Sequence, residues 1–202
     1  MRKLMMIALL CLPMMVFAQN TWEMPETAEG TTKSNPDKKY LAGAVPVVDG
    51  RVEFKTIIDA PGKDAKQVYD IVKDYLTKMT KEPNQLDQSR IVLDQPDSGR
   101  LIGSYQEWLV FKSTALTLDR TRLFFNLIVD CTDGKAEITF TRIHYLYEEE
   151  RMPQTIRAEE WITDEQGLNR KKTKLARISG KFRRKTIDRK DFLFNKFKTL
   201  LQ

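Results

Sequence analysis

Residues Arg122–Tyr147 read RLFFNLIVDCTDGKAEITFTRIHYLY. Leu123, Phe125, Leu127, Val129 and Cys131 recur at every second position, the period of a strand with one buried face. Thr132-Asp133-Gly134 then interrupts the run. An Asp-Gly step between two alternating segments is a strong short-range hairpin signal, so Ala136–Tyr147 is expected to pair back antiparallel on Arg122–Cys131. Phe124 and Phe125 fall on opposite faces. One of them therefore needs cover from outside a single layer, from a C-terminal helix, a dimer mate or a ligand.

Working upstream, Leu101–Lys112 carries Trp108 and Phe111, and Arg90–Leu93 is set off from it by the turn-rich Asp94-Gln95-Pro96-Asp97-Ser98-Gly99. Val47–Ile58 alternates as well, with Val52, Phe54, Thr56 and Ile58 on one side. Pro61-Gly62 ends that strand. Asp64, with Gln67 three residues on, forms a capping box, and Val68, Ile71, Val72, Tyr75, Leu76 and Met79 share one face of a helix over 64–81. Downstream, Thr163-Asp164-Glu165-Gln166 is a second capping box. It predicts a helix over about 164–178 that Gly180 ends. Asp188 then caps a last helix with Leu193, Phe194, Phe197, Leu200 and Leu201 on one face. The expected order is β-α-β-β-β-β-α-α, one α+β domain without internal repeats.

The N-terminus has the three parts of a secretory signal peptide: Arg2 and Lys3, an apolar run from Leu4 to Phe17, and small residues Val16 and Ala18 before a cut preceding Gln19. The run, about 14 residues, is short of the roughly 20 that span a bilayer. Cys11 lies inside it and follows two leucines, which argues against a lipid anchor. The expected division is a signal peptide over 1–18, a flexible polar leader over 19–45, a core over 46–150 and a basic helical extension over 151–202 that packs on the core. The expected location is periplasmic or secreted, with no transmembrane helix in the mature chain. Cys131 is then the lone cysteine, so packing must hold the domain without an internal disulfide.

Composition restricts the chemistry. The full chain has 202 residues with 34 Lys+Arg, 28 Asp+Glu, one His and two Cys. Two Cys and one His cannot furnish a zinc module. His144 lies in a strand with no nucleophile elbow nearby, so it reads as structural or surface. Cys131 shares the apolar face and reads as core. Glu148-Glu149-Glu150 and Glu159-Glu160 read as solvated acids, and no glycine-rich phosphate loop is present. No catalytic residue, metal site or cofactor is therefore assigned.

Charge is unevenly spread. Residues 19–150 hold 17 basic and 22 acidic side chains, and residues 151–202 hold 15 and 6. On a helix over 164–178, Arg170, Lys174 and Arg177 would share a face, with Lys181, Arg183, Arg184 and Lys185 just beyond. These seven are the candidate residues for an anion or partner.

The helix word Asp64-Ala-Lys-Gln-Val-Tyr-Asp-Ile-Val, Phe54 before it, the Gly103 strand ending near Trp108, the strand Ala136-Glu-Ile-Thr-Phe-Thr and the tail Gly180–Asp188 resemble an exported bacterial family, domain of unknown function 4468, described as TATA-binding-protein-like. At the helix end, where that family has a Trp, this chain has Tyr75-Leu76. The resemblance implies a curved antiparallel sheet with the helices packed on one face, and it implies no activity. Nucleic acid is not an expected partner: the strands are not basic, and an exported chain leaves the nucleoid. The expected function is a non-enzymatic binding or interaction module of the cell envelope, with an anionic envelope component or a protein as partner. The alternative is a carrier of a small apolar ligand or lipid in a pocket between sheet and helix.

Overall fold

In the computed structural model, Asn20, Trp22 and residues 35–202 are described; the expected signal peptide and its cleavage site lie outside them. The elements run β1 (Val47–Val48), β2 (Arg51–Asp59), α1 (Ala65–Met79), β3 (Arg90–Gln95), β4 (Arg100–Thr114), β5 (Thr117–Thr132), β6 (Lys135–Tyr147), β7 (Gln154–Arg157) and α2 (Gly180–Leu201). All strand pairings are antiparallel. The sheet order is β1-β2-β6-β5-β4-β3, and β7 pairs with the end of β6.

The hairpin that anchors this order forms as its sequence demands. Thr132 pairs with Lys135, leaving Asp133 and Gly134 as a two-residue loop, with Gly134 at φ 71°. The turn also serves α1: Asp133 Oδ1 accepts a hydrogen bond from the Ala65 amide at 2.8 Å. Asp64 and Gln67 form the capping box, each side chain accepting from the other's backbone amide. Val68, Val72, Leu76 and Met79 of α1 are buried.

Both helices lie on one face of the sheet. Tyr105, Phe125, Phe140 and Tyr145 point into that interface from β4, β5 and β6, and Leu76, Met79, Phe182 and Phe197 meet them from the helices, all fully buried. Tyr105 donates to the Leu76 carbonyl at 3.0 Å, and Tyr145 shares a 2.7 Å hydrogen bond with Thr186 of α2. Aromatic rings from the two layers pack on one another in this interface, Tyr145 against Phe182 with centroids 5.1 Å apart and Tyr75 against Phe197 with centroids 5.0 Å apart. Cys131 is buried in the same core.

Three expectations change. The helix over 164–178 is absent; the segment is a loop with a bridge between Leu168 and Leu175. Thr163 starts a single turn, its carbonyl accepting from Gln166 and Gly167. The chain then breaks because a buried side chain claims it: Arg183 Nη1 donates to the Ile162 carbonyl and Nη2 to Asp164, both at 2.7 Å. Gly167 permits that approach, since a Cβ there would lie 2.8 Å from Arg183 Cδ. Second, Asp188 does not cap a helix. It lies inside α2 and accepts from Lys39 and from the Tyr40 hydroxyl, each at 2.7 Å. Third, part of the segment read as a polar leader is packed: Trp22, Tyr40 and Val45 join the core. Polar composition concealed these few apolar anchors. Two further strands separate the structure from the expected order: Val47–Ile58, read as one strand, is the hairpin of β1 and β2, and β7 follows β6.

Candidate functional site

The opposite face of the sheet carries half-buried side chains, among them Ile102, Trp108, Phe124 and Ile128, with Ile57 largely exposed. Phe124 stacks on His144 with ring centroids 4.4 Å apart and planes at 10°. The imidazole is thus packed on an aromatic ring, and its Nδ1 lies 3.3 Å from the Arg142 carbonyl.

Trp108 is the centre of a groove at the end of this face. The β4–β5 register sets Arg122 opposite Trp108 and Arg120 opposite Val110. All four side chains share a face, so both guanidinium groups reach the indole. Arg120 Cζ sits 3.7 Å from the Trp108 ring centroid and Arg122 Cζ 5.6 Å from it. Arg122 also binds Glu149, at 2.5 Å, and its buried Nε has no partner. Glu150 lies 3.9 Å from Arg120. The groove encloses about 390 Å³ between Trp108, Leu118, Leu146 and the acidic turn after β6. One wall is pinned from α2: Lys181 donates to Asp119 at 2.6 Å and to the Tyr147 hydroxyl at 2.9 Å. Burial opposes the Lys181 charge, but those two partners raise its pKa overall.

The seven residues singled out in the sequence do not form one surface. Arg170, Lys174 and Arg177 are exposed on the loop after Gly167, where the Asn169 carboxamide accepts from the Thr173 and Lys174 amides. Lys181 is tied to Asp119. Arg183 is 0 % exposed and donates to the Tyr40, Leu41 and Ile162 carbonyls as well as to Asp164. Arg184 pairs with Asp37 and covers the Tyr40 ring at 4.7 Å. Lys185 is half-buried, and desolvation lowers its pKa. Two of the seven, Arg183 and Arg184, hold residues 37–41 to the body, and Arg183 also holds the start of the loop at Ile162 and Asp164.

Trp108, Arg120, Arg122 and Glu149 were not legible as a group. Arg120 and Arg122 at spacing two mark one face of a strand, but the cross-strand partner depends on a register that shifts at Val110/Lys112. Among the described residues no cluster of His, Cys, Asp and Glu could hold a metal ion, and no helix is long and apolar enough to cross a membrane.

The pattern of the family described as a domain of unknown function (DUF4468) with TBP-like fold matches residues 54–146. A crystal structure of a DUF4468 family protein from Bacteroides ovatus is 39% identical in sequence and superposes with a TM-score of 0.76, covering 83% of this chain and 96% of that one. The chain belongs to the DUF4468 family. A TBP-like protein from Parabacteroides distasonis, 17% identical, shares the fold with a TM-score of 0.63 over 78% of this chain and 97% of its own. No curated protein matches. For this DUF4468 member the resemblance in the Asp64 helix and the Ala136 strand therefore holds, and so does the α+β, TBP-like class with both helices on one face.

Proposed function

We propose that this DUF4468 member is an exported, non-enzymatic interaction module of the cell envelope that takes a protein partner in the groove beside Trp108. The observation that carries this reading is the Arg120 guanidinium stacked 3.7 Å over the indole in an open groove, with the Arg122 Nε left without a partner. Trp, Tyr and Arg in a partly dry pocket are the side chains that supply most of the energy in protein interfaces. Apolar groups extend the groove outward: Leu116 at the β4–β5 tip is 97% exposed, and Leu118 and Met152 are also exposed. The signs of charge alternate along the walls. Glu148, Glu149 and Glu150 would repel an anionic bilayer or polyanion, whereas a folded partner can answer each sign with its own. The carboxylates of Asp119, Glu149 and Glu150 sit in ion pairs with Lys181, Arg122 and Arg120, which suits recognition better than acid–base work. The N-terminal apolar segment with its Ala18-Gln19 junction supports export.

The test is a photo-crosslinking residue at Leu116 or Met152, compared with one at Lys78 on α1, in cells that make the protein. A discrete adduct from the groove positions that disappears in Trp108→Ala and in Arg120→Glu is expected. Adducts that are absent, or equal at all three positions, overturn the reading. Salt-sensitive binding to phosphatidylglycerol vesicles, lost when Arg170, Lys174 and Arg177 become Ser, would move the function to that loop instead.

A further inference from the structure

The described residues contain one fully buried ion pair with unpartnered polar atoms grouped about it. Glu107 of β4 and Arg189 of α2 are both 0 % exposed. They meet bidentately, Nε to Oε1 at 2.8 Å and Nη2 to Oε2 at 2.7 Å. Gln85 Nε2 donates to Oε2 at 2.5 Å, and Glu82 approaches Nη2 at 3.5 Å. The carboxylate is well supplied, but the third arm of the guanidinium, Nη1, has no partner. Three further orphans sit on residues grouped about the same pair: Trp22 Nε1, the Tyr75 hydroxyl and Asn84 Oδ1. The Trp22 ring centroid is 5.5 Å from Arg189 Cζ. Asn84 Nδ2 lies 3.4 Å from Glu107 Oε2, and Tyr75 is in electrostatic reach of Arg189, Glu82 and Glu107.

Buried polar atoms in native proteins are almost always paired, and four orphans about one ion pair call for a guest. Charge selects it. One guanidinium faces two carboxylates, so an anion is repelled by Glu82 and Glu107, while the unpartnered Arg189 Nη1 and Trp22 Nε1 are N–H donors, which call for an acceptor and not a cation. A neutral molecule must accept from Arg189 and Trp22, donate to Asn84, and do either with Tyr75. Water has two donors and two acceptors and fills buried polar gaps of this kind. We infer that Arg189 Nη1 faces an enclosed chamber holding ordered water, roofed by Trp22 at the start of the mature chain. The roof has its own fastening: Asn20 Nδ2 donates to the Val110 carbonyl, and the Val110 amide donates back to Asn20 Oδ1, both at 2.8 Å. A primary carboxamide thus takes the place of a strand neighbour on β4. Trp22 also packs against Phe192, with centroids 6.4 Å apart. The residues just past the expected cleavage site are thereby a clasp on the fold.

Oxygen-17 relaxation dispersion of the mature full chain counts waters that reside longer than the protein tumbles. Trp22→Ala is expected to lower the long-lived population by at least one water, and Trp22→Phe, which keeps an aromatic roof, to retain it. Equal dispersion in Trp22→Ala and the parent overturns the roof. A high-resolution crystal structure of the parent tests the chamber without any variant: water bridging Nη1 to Tyr75, Asn84 or Trp22 is expected. Chloride in that position, or Nη1 bonded directly to a protein atom, overturns it.

Discussion

Arg189 is positioned where its removal is felt most. Burial pushes the Glu107 carboxyl upward, and Arg189 opposes that shift. Arg189→Met would leave a buried carboxylate without its cation, at a cost of about 3–5 kcal/mol in urea unfolding. Adding Glu107→Gln should recover part of that loss, because the uncompensated charge is then gone. Cys131 makes the opposite case, of a group rendered inert. Burial pushes its thiol up to about 12. The thiolate is the reacting form, so native protein at pH 8 should resist an aromatic disulfide reagent that modifies the urea-unfolded chain quickly. Asp94 gives a pH dependence. The Lys73 ammonium and the Tyr69 hydroxyl hold its carboxyl below the usual carboxylate range. Its contribution to stability is present above the unfolded carboxylate value and lost as pH falls through the lowered folded value. Asp94 is exposed and its ion pair is screened by solvent, so Asp94→Asn should remove under about 1 kcal/mol and flatten that acid limb of the stability curve.

At the scale of elements, α1 rests on its cap as well as its packing. Asp64→Ala should cost about 1 kcal/mol, read as a lower urea midpoint with an unchanged slope. The helix expected over 64–81 runs from Ala65 to Met79, and the hairpin at Asp133-Gly134 forms as its sequence reads. In both places local chemistry and the apolar period agree, which makes an element legible without its surroundings. The segment after Thr163 shows the converse. Its capping box is a valid local signal, but Arg183, some twenty residues on, takes the Ile162 carbonyl and Asp164 for itself. Such a tertiary claim has no sequence signature. The same holds for the groove, where Trp108, Arg120 and Glu149 come from three segments and only the register brings them together.

Across the whole molecule, the most separated strand pairing is the one that joins β1 and β2 to the rest of the sheet. β2 pairs with β6 from Glu53↔Thr141 to Asp59↔Lys135, so the first long strand finds its neighbour some eighty residues later. On its other side β2 has only the two-residue β1. Loop closure of that length must precede most of its hydrogen bonds, and chains dominated by such distant partners refold in milliseconds to seconds rather than microseconds. Refolding from urea, followed by tryptophan fluorescence in a stopped-flow instrument, should therefore be slow for a domain of this size. A growing chain carries β2 paired only with the short β1 until β6 emerges. The seam at this edge of the sheet is therefore a late one to close.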